Sequence, residues 1–572
     1  MDIKRFPEKM GDFPIDFSNP KRTLISGLFQ ETAKVGGQPR KFLTYIPEGL
    51  DYCQPCLVAA IPSGEKPEEY LETSGLKAFA EDKKLFLHLA TSETAWNADG
   101  SDADYLNAIY VAIQARDFYI TMQDNIYLCG IGDGSFAAHQ AARRMASEWS
   151  GLMTFGDLNG DLNAEHTALR GESDQGEVEL KVMGMAAQLP VWMSMTAKTA
   201  DNTAAVDFWK EQNHVVGAPL SGEGADEIWM PTPVRVLSEV NEEQIAQVRL
   251  AVREDPFTKE QMEAAWSYIG LARRHRGPGK KQLRYFKEPI ACGAEKKTME
   301  VDGMTRTWYE YVPKSCTPDQ KWPLVVVFHG RGGTAETFFD LSCVSTVAEE
   351  RHFIAVVPEA GVYQQKPNGL RNVLLWCGIY QDTPVDDVKF IRELVADVES
   401  RHSVDKSRVY AMGQSSGGMM SDLLAYTAGD IFAAVAPWSA LRCPSKMYRE
   451  WPACEQHVPT MMIYFLTAGH GEDPVLPFCL SDELRATLME KLETYHLDPA
   501  NVETWKTEPI TWYAFPDKQG VPMVVIGRVD NMVHANYPEE SWISYDQFLS
   551  QFHRSEDGTL YYRGRPVNES DV

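Results

Sequence analysis

The feature that most constrains this chain is that it carries one pattern twice. "VGGQPRKFLTYIP" (residues 35–47) and "VDGMTRTWYEYVP" (residues 301–313) share five residues at a constant spacing: Val35 with Val301, Gly37 with Gly303, Arg40 with Arg306, Tyr45 with Tyr311, Pro47 with Pro313. Further on, "LKAFAEDKKLFLHLA" from Leu76 parallels "VSTVAEERHFIAVVP" from Val344, each reading as a helix and then a buried strand. Asp104 to Gly130 and Asp387 to Gly413 then span the same number of steps, a helical pattern followed by "NIYLCG" or "RVYAMG". Three coincidences in one order imply a tandem duplication in which the second copy has longer loops. The expected boundary lies in the basic segment "RRHRGPGKKQLRYFKEP" (273–289), which breaks at Gly277-Pro278-Gly279 and lacks apolar periodicity. It divides the chain into domains 1–285 and 286–572. A chain of 572 residues exceeds one hydrophobic core in any case. Within each half, short apolar runs alternate with helical patterns, so the expected class is α/β, a mostly parallel sheet flanked by helices.

Charge narrows the partners. A formal net charge of −26 opposes nucleic-acid binding, which needs basic patches. No apolar run approaches the roughly 20 residues that span a bilayer, so no membrane partner is expected. The N-terminal "MDIKRFPEKMGDFPIDF" lacks the apolar centre of a signal peptide. The expectation is a cytoplasmic chain, or a secreted one whose leader was removed. Ten cysteines do not make a disulfide scaffold at this length. Cys443 and Cys454 are a candidate pair that sequence cannot assign. Cys53 and Cys56 have redox-motif spacing but precede a strand instead of opening a helix. No metal-ligand motif appears, and neither metal nor cofactor is expected. The oligomeric state is left open.

The second copy carries a chemical constellation. "SRVYAMGQSSGGMMSDLLAYTA" (407–428) sets Gly413-Gln414-Ser415-Ser416-Gly417 between a strand and a helix, the G-x-S-x-G nucleophile elbow in its required context. Upstream, "LVVVFHGRGGTAETF" (324–338) ends a strand in His329-Gly330-Arg331-Gly332-Gly333, a loop suited to presenting a backbone N–H to an oxyanion. The amides of Arg331 and Ser416 are the expected donors, and His329 is read as structural. "VPTMMIYFLTAGHGEDPVLPF" (458–478) is a strand followed by a loop presenting Asp473, with Glu472 as its rival for the acid that orients a histidine. "VVIGRVDNMVHANYPEESWISYDQFLSQF" (524–552) places His534 after the last strand. Ser415, Asp473 and His534 thus follow the order Ser, acid, His.

On these motifs, with "VDGMTRTWYEYVP" and "DDVKFIRELV", residues from about 297 to 555 resemble the polyhydroxybutyrate-depolymerase-like and feruloyl-esterase group of α/β-hydrolases. The resemblance implies two tandem α/β-hydrolase domains. It also implies a catalytic triad of Ser415, Asp473 and His534, and hydrolysis of a carboxylic ester through an acyl-serine. Feruloyl or other aryl-carboxylate esters are the first choice of substrate, a polyhydroxybutyrate or other polyester the second, and a silent binding protein the rival of another class. Trp376 and Trp438, expected on loops after strands, are candidates to line an acyl pocket. The family shows a small residue and then Trp-Pro after its histidine, whereas here the run is His534-Ala535-Asn536-Tyr537-Pro538, which leaves that wall of the pocket undefined.

The first copy lacks the same parts. Gly132, in "GIGDGS", takes the place of Ser415, "VAAIPSGEKPEEY" from Val58 replaces the His-Gly loop, and the segment 245–262 that matches the His534 loop holds no histidine. Asp201 is a candidate relic of the acid. A dinucleotide reading of Gly130-Ile131-Gly132-Asp133-Gly134 fails because the third fingerprint position is Ser135 and several strands already precede the turn. This half is read as a degenerate hydrolase fold.

Overall fold

The computed structural model describes every residue except 7–18, 20, 98, 115–118, 120, 123, 163–186, 237–238, 241–242, 279–281, 365–371, 377–384, 443–450, 466–472, 531, 533 and 568–572. The chain divides into two compact units, Met1–Phe286 and Lys287–Gln364 with Asn372–Val572.

The first unit contains β1 (Ile3–Lys4), β2 (Gly27–Val35), β3 (Gln38–Ile46), β4 (Cys56–Ala60), β5 (Phe86–Ala90), β6 (Ile126–Ile131), β7 (Gly151–Phe155), β8 (Val191–Met195), β9 (Leu220–Gly222), β10 (Ala225–Trp229) and β11 (Val248–Val252). They form one sheet in the order β1-β2-β3-β5-β4-β6-β7-β8-β11-β10-β9. The second unit contains β12 (Glu295–Val301), β13 (Met304–Tyr311), β14 (Trp322–Phe328), β15 (Ile354–Pro358), β16 (Val404–Gln414), β17 (Ala434–Trp438), β18 (Thr460–Phe465), β19 (Glu503–Thr507), β20 (Ile510–Pro516) and β21 (Pro522–Val529). Their order is β12-β13-β15-β14-β16-β17-β18-β21-β20-β19. Apart from β1, the two sheets have the same order of strands. In each, the centre from β5 to β11, or from β15 to β21, runs parallel. Antiparallel hairpins close both edges.

The central strands are continuous apolar runs. Every residue of β4 to β8, and of β15, β17 and β18, is buried, as a parallel sheet covered on both faces requires. The principal helices of the first unit are α1 (Pro67–Thr73), α2 (Leu76–Lys83), α3 (Ser101–Gln114), α4 (Gly134–Arg144), α5 (Ala200–Gln212) and α6 (Lys259–Ile269). Those of the second are α7 (Ala335–Leu341), α8 (Val344–Arg351), α9 (Asp387–Arg401), α10 (Ser416–Thr427), α11 (Asp482–Thr494) and α12 (Glu539–Gln547). Thr199, Thr258, Asp386 and Ser481 start α5, α6, α9 and α11 by accepting a backbone N–H from the first turn. Among the described residues no helix is long and apolar enough to cross a membrane.

Two expectations need correction. Arg306 pairs with Asp387 at 2.6 Å, lies 4.0 Å over the Phe390 ring and donates to Glu359 O. Arg40 makes the same set in the first unit, with Asp102 at 2.5 Å, the Tyr105 ring at 3.7 Å and Thr91 O. The counterpart of Asp387 is therefore Asp102, not Asp104, which pairs instead with Arg144. The basic segment 273–289, read as a break without apolar periodicity, also contains regular structure. Ala272–His275 and Gln282–Tyr285 form an antiparallel hairpin. Arg274 is buried, donating to Trp149 O at 3.1 Å and Gln188 O at 2.7 Å, and Arg273 stacks 4.0 Å from the Phe286 ring. Backbone carbonyls and an aromatic face accommodate these guanidinium groups without apolar periodicity.

Candidate active site

In the second unit β14, β16, β18 and β21 end at one edge of the sheet, the carboxyl ends of its parallel strands, where ligands of open α/β sheets bind. Ser415 sits at the tip of the turn between β16 and α10. Its backbone has a positive φ, 56°, with ψ −116°, a conformation that costs a non-glycine residue of order 1–3 kcal/mol. Its N–H is anchored to Trp438 O at 2.8 Å. The flanking glycines are there for space. A Cβ on Gly417 would lie 2.2 Å from Phe328 O, and one on Gly413 2.5 Å from the same atom. The turn thus packs against the end of β14 and presents a half-buried serine at the N-terminus of α10, where the helix dipole favours negative charge.

The neighbouring loop from β14 to α7 is braced from several sides. His329 is fully buried. Its Nε2 accepts the Ala360 N–H at 3.1 Å, and its Nδ1 donates to Gly330 O at 2.7 Å, which assigns the ring proton to Nδ1. Trp376 donates from Nε1 to His329 O at 2.9 Å, and Gly332 N–H bonds Leu374 O at 2.9 Å. Thr334 and Thr337 close a capping box at the start of α7. These contacts set the backbone on either side of Arg331, whose side chain is exposed.

β21 lies three strands from β16, about 14 Å across the sheet. The segment that follows His534 reaches the end of α7. Asn536 donates to Leu341 O at 2.8 Å and Ser541 Oγ to Ser342 O at 2.6 Å, which fastens it to the end of α7. Trp438 Nε1 reaches Ser544 in α12 at 2.9 Å. His534 is solvent-accessible, and partial desolvation by the surrounding protein lowers its pKa below the ordinary imidazole value of 6.5. It is therefore neutral at pH 7 and able to accept a proton.

Asp473 is held by α11 and by the residues that follow it. Both its oxygens bond Arg485, one turn into α11, and Oδ1 also accepts the N–H groups of Val475 at 2.8 Å and Leu476 at 2.9 Å. Burial raises the carboxyl's pKa, but these bonds outweigh it and bring the pKa down to about 2. Among the described residues, no hydrogen bond joins Ser415, Asp473 and His534 to one another. Glu472 lies outside the described residues.

Trp376 and Trp438 are both fully buried, with their indole N–H groups bonded to protein. Neither offers a face to a substrate; they hold the loops that carry Arg331 and Ser415. Tyr537 is likewise buried, its N–H bonded to Glu540, and it forms no open wall. Two contributors were missed from sequence. Arg485, on which sequence analysis is silent, holds Asp473. Asp422 of α10 and Lys491 of α11 form a fully buried ion pair at 2.6 Å that ties the helix behind Ser415 to the helix carrying Arg485. Among the described residues, no three His, Cys, Asp or Glu side chains gather into a metal-holding group.

Residues 307–444 match the family model described as "Esterase PHB depolymerase". The matched stretch includes the loop at Arg331 and the turn at Ser415 and stops before Asp473 and His534. Feruloyl esterase B of Thermothelomyces thermophilus is 33% identical over 138 residues, 23% of this chain and 43% of that protein. Poly(3-hydroxyalkanoate) depolymerase C of Paucimonas lemoignei is 31% identical over 130 residues, 23% of this chain and 30% of that protein. Among solved structures, an acetyl xylan esterase from Aspergillus awamori aligns with 45% of this chain and 99% of its own, at 15% identity and a TM-score of 0.33. The chain therefore spans less than half the length of these two curated relatives.

Proposed function

We propose that the second unit is a serine carboxylic-ester hydrolase that acts on feruloyl or related aryl-carboxylate esters. The observation that carries this is Ser415 itself, a serine held at φ 56° between a parallel strand and a helix N-terminus, beside a braced His-Gly loop. A strained turn persists when the residue at its tip has a task that glycine cannot perform. In the proposed cycle, His534 takes the Ser415 proton as Oγ attacks the ester carbonyl. The N–H groups of Arg331 and Ser416 receive the oxyanion. The C–O bond breaks, His534 protonates the departing alcohol, and water then releases the acid by the same route in reverse. Asp473 acts as the triad acid once one of its oxygens turns from Arg485 to the imidazole.

The similarity to feruloyl esterase B supports the aryl-ester choice. The similarity to a poly(3-hydroxyalkanoate) depolymerase supports a polyester as second choice. We further propose that the boundary near residue 286 separates this enzyme from a catalytically silent first copy of the same fold. The shared strand order and the paired clusters at Arg40 and Arg306 support that reading. The experiment is Ser415→Ala, assayed on methyl ferulate, a p-nitrophenyl ester and polyhydroxybutyrate, together with labelling by a fluorophosphonate probe. The expected result is loss of hydrolysis and of the adduct at Ser415. Full activity in the variant overturns the assignment, and an unlabelled, inactive native protein favours a binding role.

A further inference from the structure

The first unit keeps the turn and the loop beside it, in matching conformation. Gly132 has φ 58° where Ser415 has φ 56°. Its N–H bonds Phe155 O at 2.8 Å, as that of Ser415 bonds Trp438 O at 2.8 Å. In the loop after β4, Gly64 has φ 76° and bonds Ser92 O at 2.9 Å. In the loop after β14, Gly332 has φ 77° and bonds Leu374 O at 2.9 Å. Ser63 therefore stands where Arg331 stands, and Asp133 where Ser416 stands.

What differs is what fills the space between them. Asp133 is the N-cap residue of α4, yet its side chain does not cap that helix. It turns across to the other loop, where Oδ1 accepts the Ser63 N–H at 2.9 Å and Oδ2 the Ser63 hydroxyl at 2.5 Å. An ionised carboxylate only accepts hydrogen bonds and carries the charge of an oxyanion. Pro62 occupies the position of Gly330, and a Cβ on Gly132 would meet its Cγ at 3.2 Å. The place of the serine side chain is thus narrowed as well.

We propose that the first unit retains an oxyanion pocket, formed by the N–H and hydroxyl of Ser63, and that Asp133 is its resident ligand. The pocket takes small carboxylates when that side chain is removed. In the intact chain it is closed, so the first unit does not capture esters at this turn. The inference rests on the matching backbones of the two turns and stands whether or not the second unit hydrolyses esters.

The test is anion rescue of Asp133→Ala in the full chain, with thermal unfolding followed in sodium formate and in sodium chloride of equal ionic strength. The expected result is a lowered Tm in chloride. Formate then recovers about 1–2 °C more than chloride in the variant and no more than chloride in the native protein. Equal responses to the two salts in variant and native protein overturn the proposal. Amide exchange of the peptide containing Ser63 supplies a second readout. In Asp133→Asn, which keeps the side-chain shape and one carbonyl acceptor, protection is expected to be largely kept. In Asp133→Ala it is expected to be lost and restored by formate. Protection in Asp133→Ala that formate leaves unchanged also overturns the proposal.

Discussion

Ser415→Gly is expected to abolish hydrolysis and to stabilise the second unit. Ser415 holds φ 56° and ψ −116°. A non-glycine residue in such a region costs of order 1–3 kcal/mol, and glycine removes that cost. Glycine also loses about 0.5–1 kcal/mol through the extra freedom of the unfolded chain. The net expectation is a gain of about 1 kcal/mol, or a rise in Tm of about 2–4 °C in the transition of the second unit. Ser415→Ala is the control, because it removes the hydroxyl but keeps a Cβ in the same conformation. It is expected to be inactive and not stabilised. Gly132→Ser in the first unit runs the experiment backwards. It restores strain at φ 58° and sets a Cβ 3.2 Å from Pro62 Cγ, so that unit is expected to lose stability. Differential scanning calorimetry of the three variants decides the matter. If Ser415→Gly lowers the Tm, or if both substitutions to and from glycine shift stability in the same direction, the strain argument fails.

Two further outcomes follow from the geometry. Because burial lowers the pKa of His534, the neutral imidazole persists to lower pH than in a free histidine. The acid limb of kcat/KM is therefore expected to rise with pH around a midpoint below 6.5 and to be flat through pH 7; a pH–rate profile with a midpoint at or above 6.5 contradicts this. The Asp422–Lys491 pair has both partners fully buried, so Asp422→Ala or Lys491→Ala alone strands a charge and is expected to cost about 3–5 kcal/mol. The double variant Asp422→Leu/Lys491→Met is expected to recover most of that loss in denaturant unfolding, and a double variant no more stable than the singles refutes the reasoning.

The layout of the sheets was legible because period and punctuation are local. Apolar runs such as "LVVVF" and "TMMIYF" read as buried parallel strands, and they are. The hairpins β9-β10 and β19-β20, inserted before the last parallel strand of each sheet, were not anticipated, because β9 and β19 are exposed and carry no apolar signal. The same limit hid the fate of the basic segment. Four consecutive residues from Arg273 to Arg276 look solvated by composition, but backbone carbonyls and the Phe286 ring receive two of them. Partners of this kind have no sequence period. Arg485 and Lys491 were overlooked for that reason, since each answers a carboxylate on a different element.

Comparison of the two turns separates what the fold requires from what chemistry requires. The outer glycines are held by close approach. A Cβ on Gly134 would lie 2.5 Å from Ala60 O, as one on Gly417 would lie 2.2 Å from Phe328 O. These positions must be glycine for the helix to start against the strand, whether or not the turn reacts. The outer glycines of a G-x-S-x-G pattern are thus a signature of the turn, and both units have them. The central position obeys the opposite rule. Its backbone favours glycine, and the first unit has glycine there. The second unit keeps a serine against that preference. The buried couplings behind the turns follow the same division. In the second unit Asp422 and Lys491 join α10 to α11 through a charge pair, while in the first His139 of α4 accepts the Trp209 N–H from α5 at 2.9 Å, a neutral bond between the same two helices. The link between the helices is common to both units, and its chemical identity is not. A serine at φ 56° is therefore a stronger sign of function than the motif that contains it.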